Sequence, residues 1–61
     1  MNLDSILLIE DDKINALAFK KGLKLVNNDV KLTIHETAET ALEYLNNEGS
    51  LPSIIVLDLN L

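Results

Sequence analysis

Three carboxylates stand where two short apolar segments of the chain end. Glu10 and Asp11 directly follow the run "SILLI" at residues 5–9, and Asp58 follows the run "SIIVL" at residues 53–57. Short, continuous apolar runs of this kind are typical of strands covered on both faces of a parallel sheet. Because parallel strands end at the same edge of a sheet, we expect the three side chains to converge in one crevice there.

Such crowding suggests a chemical role for the three acids. Two like charges about 4 Å apart repel by about 4 kcal/mol at an effective dielectric constant of 20. A divalent cation held by carboxylates, a backbone carbonyl and waters would offset this repulsion, and Mg²⁺ is the usual occupant of such sites. Taken singly, each acid could instead have a structural role, such as capping a following helix. The three together favour a metal site.

A helix is predicted between the first two strands. The segment "DKINALAFKKGLKLV", residues 12–26, has apolar residues at helical spacing, and Asp12 is its expected N-cap. Gly22 lies inside this helix, where it lowers helix stability, so we expect it to allow close packing. Residues 30–35 then alternate apolar and polar side chains, which predicts a half-covered strand with His35 at the surface.

A second helix is expected after Thr37, which is its predicted cap. Its predicted buried stripe consists of Ala38, Ala41, Leu42 and Leu45. Pro52 excludes further helix and leads into a third strand over residues 53–58. Strands that alternate with helices predict an α/β fold of order β-α-β-α-β, with right-handed crossovers and a parallel sheet.

Composition limits the classes of protein to consider. The 61 residues include no cysteine, which excludes disulfides, and their net charge of −5 with no arginine argues against nucleic-acid binding. No apolar run approaches the ~20 residues that span a bilayer, and no signal-peptide pattern opens the chain, so we expect no membrane partner and a cytoplasmic location. A chain of this size buries only about 60% of its surface, so a metal or self-association is expected to support the fold.

Three segments resemble one known family. "ILLIEDDKIN", "ETAETALEYL" and "IIVLDLNL" are together similar to the first half of response-regulator receiver domains. The resemblance covers residues 1–61 and implies a single partial receiver domain of three strands and two helices. The implied fold is the β-α-β-α-β half of a flavodoxin-like, doubly wound parallel sheet.

The resemblance also implies a role for each acid. Asp58 would accept a phosphoryl group in a two-component phosphorelay, from a histidine kinase or a phosphotransfer protein. Glu10, Asp11, Asp58 and the backbone carbonyl of Asn60 would bind Mg²⁺ or Mn²⁺. Such a module is a phosphoprotein of signal transduction and not a turnover enzyme. Receiver domains also use a Ser/Thr after their fourth strand and a Lys after their fifth. Neither has a counterpart in these 61 residues, so we expect impaired phosphotransfer.

Two other functions remain open. The chain could be a non-catalytic half-domain that folds by homodimerisation and serves as an assembly unit, or a simple binder of divalent cations. In the family's strand order the first strand is central, and the outer edge of the third is bare. Because "SIIVLDL" is an apolar edge of the kind that pairs with other chains, we expect a homodimer through the third strand that completes the sheet, with domain swapping as the alternative route to the same burial.

Overall fold

The computed structural model of the protein describes residues 4–47 and 51–58. Its elements follow one another as β1 Ser5–Ile9, α1 Lys13–Val26, β2 Lys31–His35, α2 Ala38–Asn47 and β3 Ile54–Leu57. This order is the one that the sequence predicts, with each strand boundary within one residue of the expected position. The chain is therefore a small α/β protein.

The strands form a parallel sheet in the order β2-β1-β3, with β1 in the centre. The first crossover runs from β1 to β2, and the second runs back across β1 to β3. Right-handed crossovers in opposite directions put α1 and α2 on opposite faces of the sheet. The pocket linings agree with this, because Phe19 of α1 shares a pocket with Leu8, whereas Tyr44 of α2 shares one with Leu7.

The buried core is centred on β1. Ile6, Leu7 and Leu8 are buried, as expected for the central one of the three described strands, which has a neighbour on each side and a helix over each face. Each helix adds one buried residue, Ala16 from α1 and Ala41 from α2. Small side chains at these two positions allow each helix to lie close to the sheet.

The helices cover the sheet less fully than their apolar patterns predict. In α2, Ala41 is buried and Leu45 half-buried, but Ala38 and Leu42 are exposed, so the predicted stripe is only half correct. In α1, Ile14 is 78% and Leu25 89% exposed. A sheet of three short strands is too narrow to cover the whole apolar stripe of a helix, which explains both differences. Neither described helix has the length and apolar character needed to cross a membrane.

Both predicted helix caps are confirmed. Asp12 is extended, with φ −93° and ψ 118°, and its Oδ1 accepts hydrogen bonds from the N–H groups of Ile14 at 2.8 Å and Asn15 at 3.2 Å. The Thr37 hydroxyl accepts from the Thr40 N–H at 3.2 Å. These bonds satisfy N–H groups that have no partner within a helix. Each helix therefore starts at a fixed point just beyond the end of a strand.

Two smaller expectations are wrong. Within the described residues, a Cβ built on Gly22 would meet no heavy atom within 4 Å apart from its chain neighbours and the backbone of its own helix, so this glycine does not serve close packing. His35 is half-buried: its Nδ1 lies 3.1 Å from the Thr40 hydroxyl, and its ring centroid lies 5.2 Å from that of Tyr44. The polar side of β2 points towards α2, which is why His35 is covered.

Candidate functional site at the carboxyl edge of the sheet

The ends of β1 and β3 lie side by side. Ile9 is paired with Leu57 in the parallel register, so the acids that follow each of them leave the sheet at the same edge. The Asp58 N–H donates to the Ile9 carbonyl at 3.1 Å, and the Glu10 N–H donates to the His35 carbonyl at 2.9 Å. These two bonds continue the strand ladders and fix the backbone from which the side chains project.

Glu10 is the buried member of the group. Its side chain is only 4% exposed, and its Oε1 accepts a hydrogen bond from the Asp12 N–H at 3.0 Å. A hydrogen bond shared with Asp58 raises the pKa of Glu10 above its ordinary value of 4.5. The bond from the Asp12 N–H acts in the opposite direction, and burial together with the charges of Asp58 and Asp11 raises the pKa further. Glu10 therefore holds a proton against the Asp58 carboxylate more tightly than an isolated glutamate would.

Asp58 is exposed and lies between the other two acids. With Glu10 and Asn15 it lines a pocket of about 260 Å³ on the α1 side of the sheet. With Asp11 and Thr37 it lines another of about 190 Å³ on the α2 side. Glu10 and Asp11 thus line different pockets, and Asp58 lines both.

The three acids line two pockets that share Asp58, and the charges of both Asp11 and Asp58 act on Glu10. Asp58 forms one pair with Glu10 and another with Asp11, on opposite sides of the sheet edge. Accordingly, across residues 4–47 and 51–58 no three His, Asp or Glu side chains are grouped as they would be around a metal ion. The three acids lie at the edge of the sheet that the sequence predicts, where they line pockets on its two sides.

The chemistry of the acids nevertheless fits a hard divalent cation. Asp11 and Asp58 are exposed carboxylates that line the same pocket, so both can turn towards a shared ion. Glu10 is less suited to direct ligation because one of its oxygens is held by the Asp12 N–H. Asp12 is occupied by its role as N-cap. The predicted carbonyl ligand, Asn60, lies outside the described residues.

Two polar residues that the sequence analysis did not assign to the site also line it. Asn15, in the first turn of α1, lines the pocket of Glu10 and Asp58, and Thr37, just before α2, lines the pocket of Asp11 and Asp58. The available signal was their position, because helix starts that follow parallel strands lie at the ligand-binding edge of an open sheet.

Comparisons of the chain with protein-family models, with curated proteins and with solved structures found no match.

Proposed function

We propose that the protein is a phosphoryl-accepting module of the receiver type, with the fold of the first half of a flavodoxin-like domain and with Asp58 as the acceptor. The observation that supports this most is the position of Asp58. It is an exposed carboxylate at the carboxyl edge of the sheet, beside the central strand and between two further acids. Ligands of open α/β sheets bind at this edge.

The difference in exposure favours Asp58 over Glu10 as the acceptor of the phosphoryl group. A nucleophilic carboxylate must reach the phosphorus atom of a second molecule, and the buried Glu10 has no such access. The hydrogen bond with Asp58, together with burial and the charges of the neighbouring acids, raises the pKa of Glu10, so Glu10 binds a proton more tightly than an isolated glutamate.

The reaction is a displacement at phosphorus. A carboxylate oxygen of Asp58 forms a bond to the phosphorus, and the bond from phosphorus to the donor breaks. The donor group, a histidine nitrogen of a kinase or phosphotransfer protein or the carboxylate of an acyl phosphate, leaves with the electron pair. When bound, Mg²⁺ or Mn²⁺ would neutralise charge on the phosphoryl oxygens, and Asp11 and Asp58 are the residues that would hold it.

The charge around Asp58 sets the expected rate. Neither of the two pockets described above is lined by a lysine, so neither places a lysine cation beside the incoming phosphoryl group. Preorganised positive charge contributes much of the stabilisation of a phosphoryl transition state. We therefore expect slow, single-turnover labelling, consistent with a cytoplasmic signalling protein and not with an enzyme that turns over.

Intact-protein mass spectrometry after incubation with acetyl phosphate and Mg²⁺ tests this proposal. The wild type should acquire one phosphoryl group slowly, and Asp58→Asn should acquire none. Asp29→Asn is the matched control, because Asp29 is also exposed but follows α1. Labelling that persists in Asp58→Asn, or that is absent from the wild type, would exclude Asp58 as the acceptor.

A second candidate function is supported by a different observation. Large apolar side chains are exposed on β3 and on both helices, which is unusual for a monomer of this size. A non-catalytic half-domain that assembles through its sheet would account for them. A protein that associates but neither binds Mg²⁺ nor accepts phosphate would favour this candidate.

A further inference from the structure

We propose that the outer edge of β3 binds β3 of a second copy of this chain, antiparallel and about a two-fold axis, so that the two sheets become one. This inference concerns assembly and does not depend on phosphoryl acceptance by Asp58. It rests on the surface area of the chain, on the composition of the two sheet edges and on the direction of the β3 peptide groups.

The accessible surface exceeds the average for a compact monomer of this mass. The chain exposes 4788 Å² for a mass of 6.8 kDa. Compact monomeric proteins of that mass expose about 4000 Å², which leaves an excess of about 800 Å². Each partner in a stable interface of standard size buries about 800 Å². The excess is of the same order as the area that one copy would contribute to a dimer.

The two edges of the sheet differ in charge. The β2 edge carries Lys31 and His35 at its two ends, whereas β3 consists of the uncharged segment Ile54–Leu57. Charged side chains, lysine above all, oppose edge-to-edge pairing of strands, and an uncharged apolar edge permits it. The β3 edge is therefore the one that can meet an identical edge without repulsion.

The free hydrogen-bonding groups of β3 follow from its pairing with β1. The Asp58 N–H donates to the Ile9 carbonyl, so Asp58 and every second residue before it direct their peptide groups towards β1. The peptide groups of Ile55 and Leu57 consequently face away from β1. Among the described strands, none lies on that side of β3.

A two-fold axis through Val56 would give the outward peptide groups of Ile55 and Leu57 hydrogen-bonding partners in the second copy. Ile55 then lies opposite the partner's Leu57, and each pair exchanges two backbone hydrogen bonds. The side chains of Ile55 and Leu57 are each 51% exposed, and they would cover one another across the junction. The two copies of Asp58 would be offset by four residues along the strand direction, which corresponds to about 14 Å. That separation exceeds the screening length of about 8 Å at physiological ionic strength, so their charges would not oppose association.

This match of hydrogen-bonding groups and side chains favours pairing of β3 with a second copy of itself over pairing with a strand of a different protein. In one symmetric register the outward N–H and C=O groups of Ile55 and Leu57 find partners, and apolar side chains meet apolar side chains. Two-fold dimers are also the commonest closed assemblies.

The variants Ile55→Pro and Ile55→Ala test the interface. Both remove the isoleucine side chain, but only proline removes the outward N–H, and neither removes a bond to β1. Light scattering during gel filtration should give about twice the chain mass of 6.8 kDa for the wild type and for Ile55→Ala. Ile55→Pro should keep its circular dichroism spectrum and dissociate at least tenfold more readily than Ile55→Ala. A folded wild-type monomer at 100 µM, or equal association of the two variants, would overturn the proposal.

Amide hydrogen exchange on the wild type provides a test that does not depend on whether the proline variant folds. The N–H groups of Ile55 and Leu57 should be protected in concentrated samples and lose protection on dilution as the dimer dissociates. The Val56 and Asp58 N–H groups, which face β1, are the internal control and should change less. If Ile55 and Leu57 exchange freely while the protein is dimeric, the interface lies elsewhere and the proposal is wrong.

Discussion

Asp12→Ala tests whether the three consecutive acids after β1 have different roles. Asp12 accepts hydrogen bonds from the N–H groups of Ile14 at 2.8 Å and Asn15 at 3.2 Å, and alanine can accept neither. Loss of an N-cap aspartate costs about 1 kcal/mol, within a range of about 0.5–2 kcal/mol. For a domain of about 60 residues, that corresponds to a decrease in melting temperature of about 4–8 °C. We expect this decrease without any loss of Mg²⁺ affinity.

Asp12→Asn is the matched control, since asparagine caps helices as well as aspartate does but carries no charge. Thermal unfolding followed by circular dichroism in metal-free buffer at neutral pH should place Asp12→Asn near the wild type and Asp12→Ala clearly below it. Both measurements should be made at one protein concentration, because association would change the melting temperature. Equal destabilisation by the two variants would show that the charge of Asp12, and not its capping bonds, matters for stability.

Two further predictions concern stability. The pKa of Glu10 is raised above 4.5 in the folded protein by its hydrogen bond to Asp58, so the stability it contributes is fully present below pH 4.5 and is lost as the pH rises through the raised value. Glu10→Gln keeps the acceptor for the Asp12 N–H, and its amide donates to Asp58 at every pH. The melting temperature of this variant should therefore increasingly exceed that of the wild type as the pH rises from 4 to 7. A difference in melting temperature that does not depend on pH would refute this prediction. Gly22→Ala should raise the free energy of unfolding by about 0.5–1 kcal/mol, because a Cβ there meets nothing within 4 Å and alanine favours the helix. A lower melting temperature for Gly22→Ala would mean that α1 packs more tightly at this point.

The elements of the fold could be predicted because local signals agree with one another. The uninterrupted apolar run of β1 reflects coverage on both faces, and Asp12 and Thr37 mark the helix starts through short-range hydrogen bonds. These features depend on neighbouring residues in the chain, which the sequence displays directly.

The extent to which the sheet buries the apolar face of each helix could not be predicted in the same way. Helical spacing identifies an apolar face but does not show how much sheet lies beneath it. Leu42 belongs to the stripe of α2 yet is exposed, whereas His35 looks like a surface residue and is half-buried under α2. Both outcomes depend on the width of the sheet and on which face each helix occupies.

The sequence predicts at which edge of the sheet the acids lie, but it does not predict how their side chains are arranged there. The positions of Glu10, Asp11 and Asp58 after apolar runs place them together at the end of the parallel strands. Glu10 lines a pocket on the α1 side and Asp11 one on the α2 side, an arrangement that depends on how the chain bends after β1. The raised pKa of Glu10 requires contact with Asp58, which only the three-dimensional register of β1 and β3 supplies.

The most direct test of the proposed site is a Mg²⁺ titration followed by backbone amide chemical shifts. Wild type, Asp58→Asn and the control Asp29→Asn should be titrated at equal ionic strength. We predict saturable shifts centred on Asp11 and Asp58 in the wild type and in Asp29→Asn, with affinity at least tenfold lower in Asp58→Asn. Equal affinity in all three proteins, or shifts confined to residues away from this edge, would contradict a cation-assisted role for Asp58.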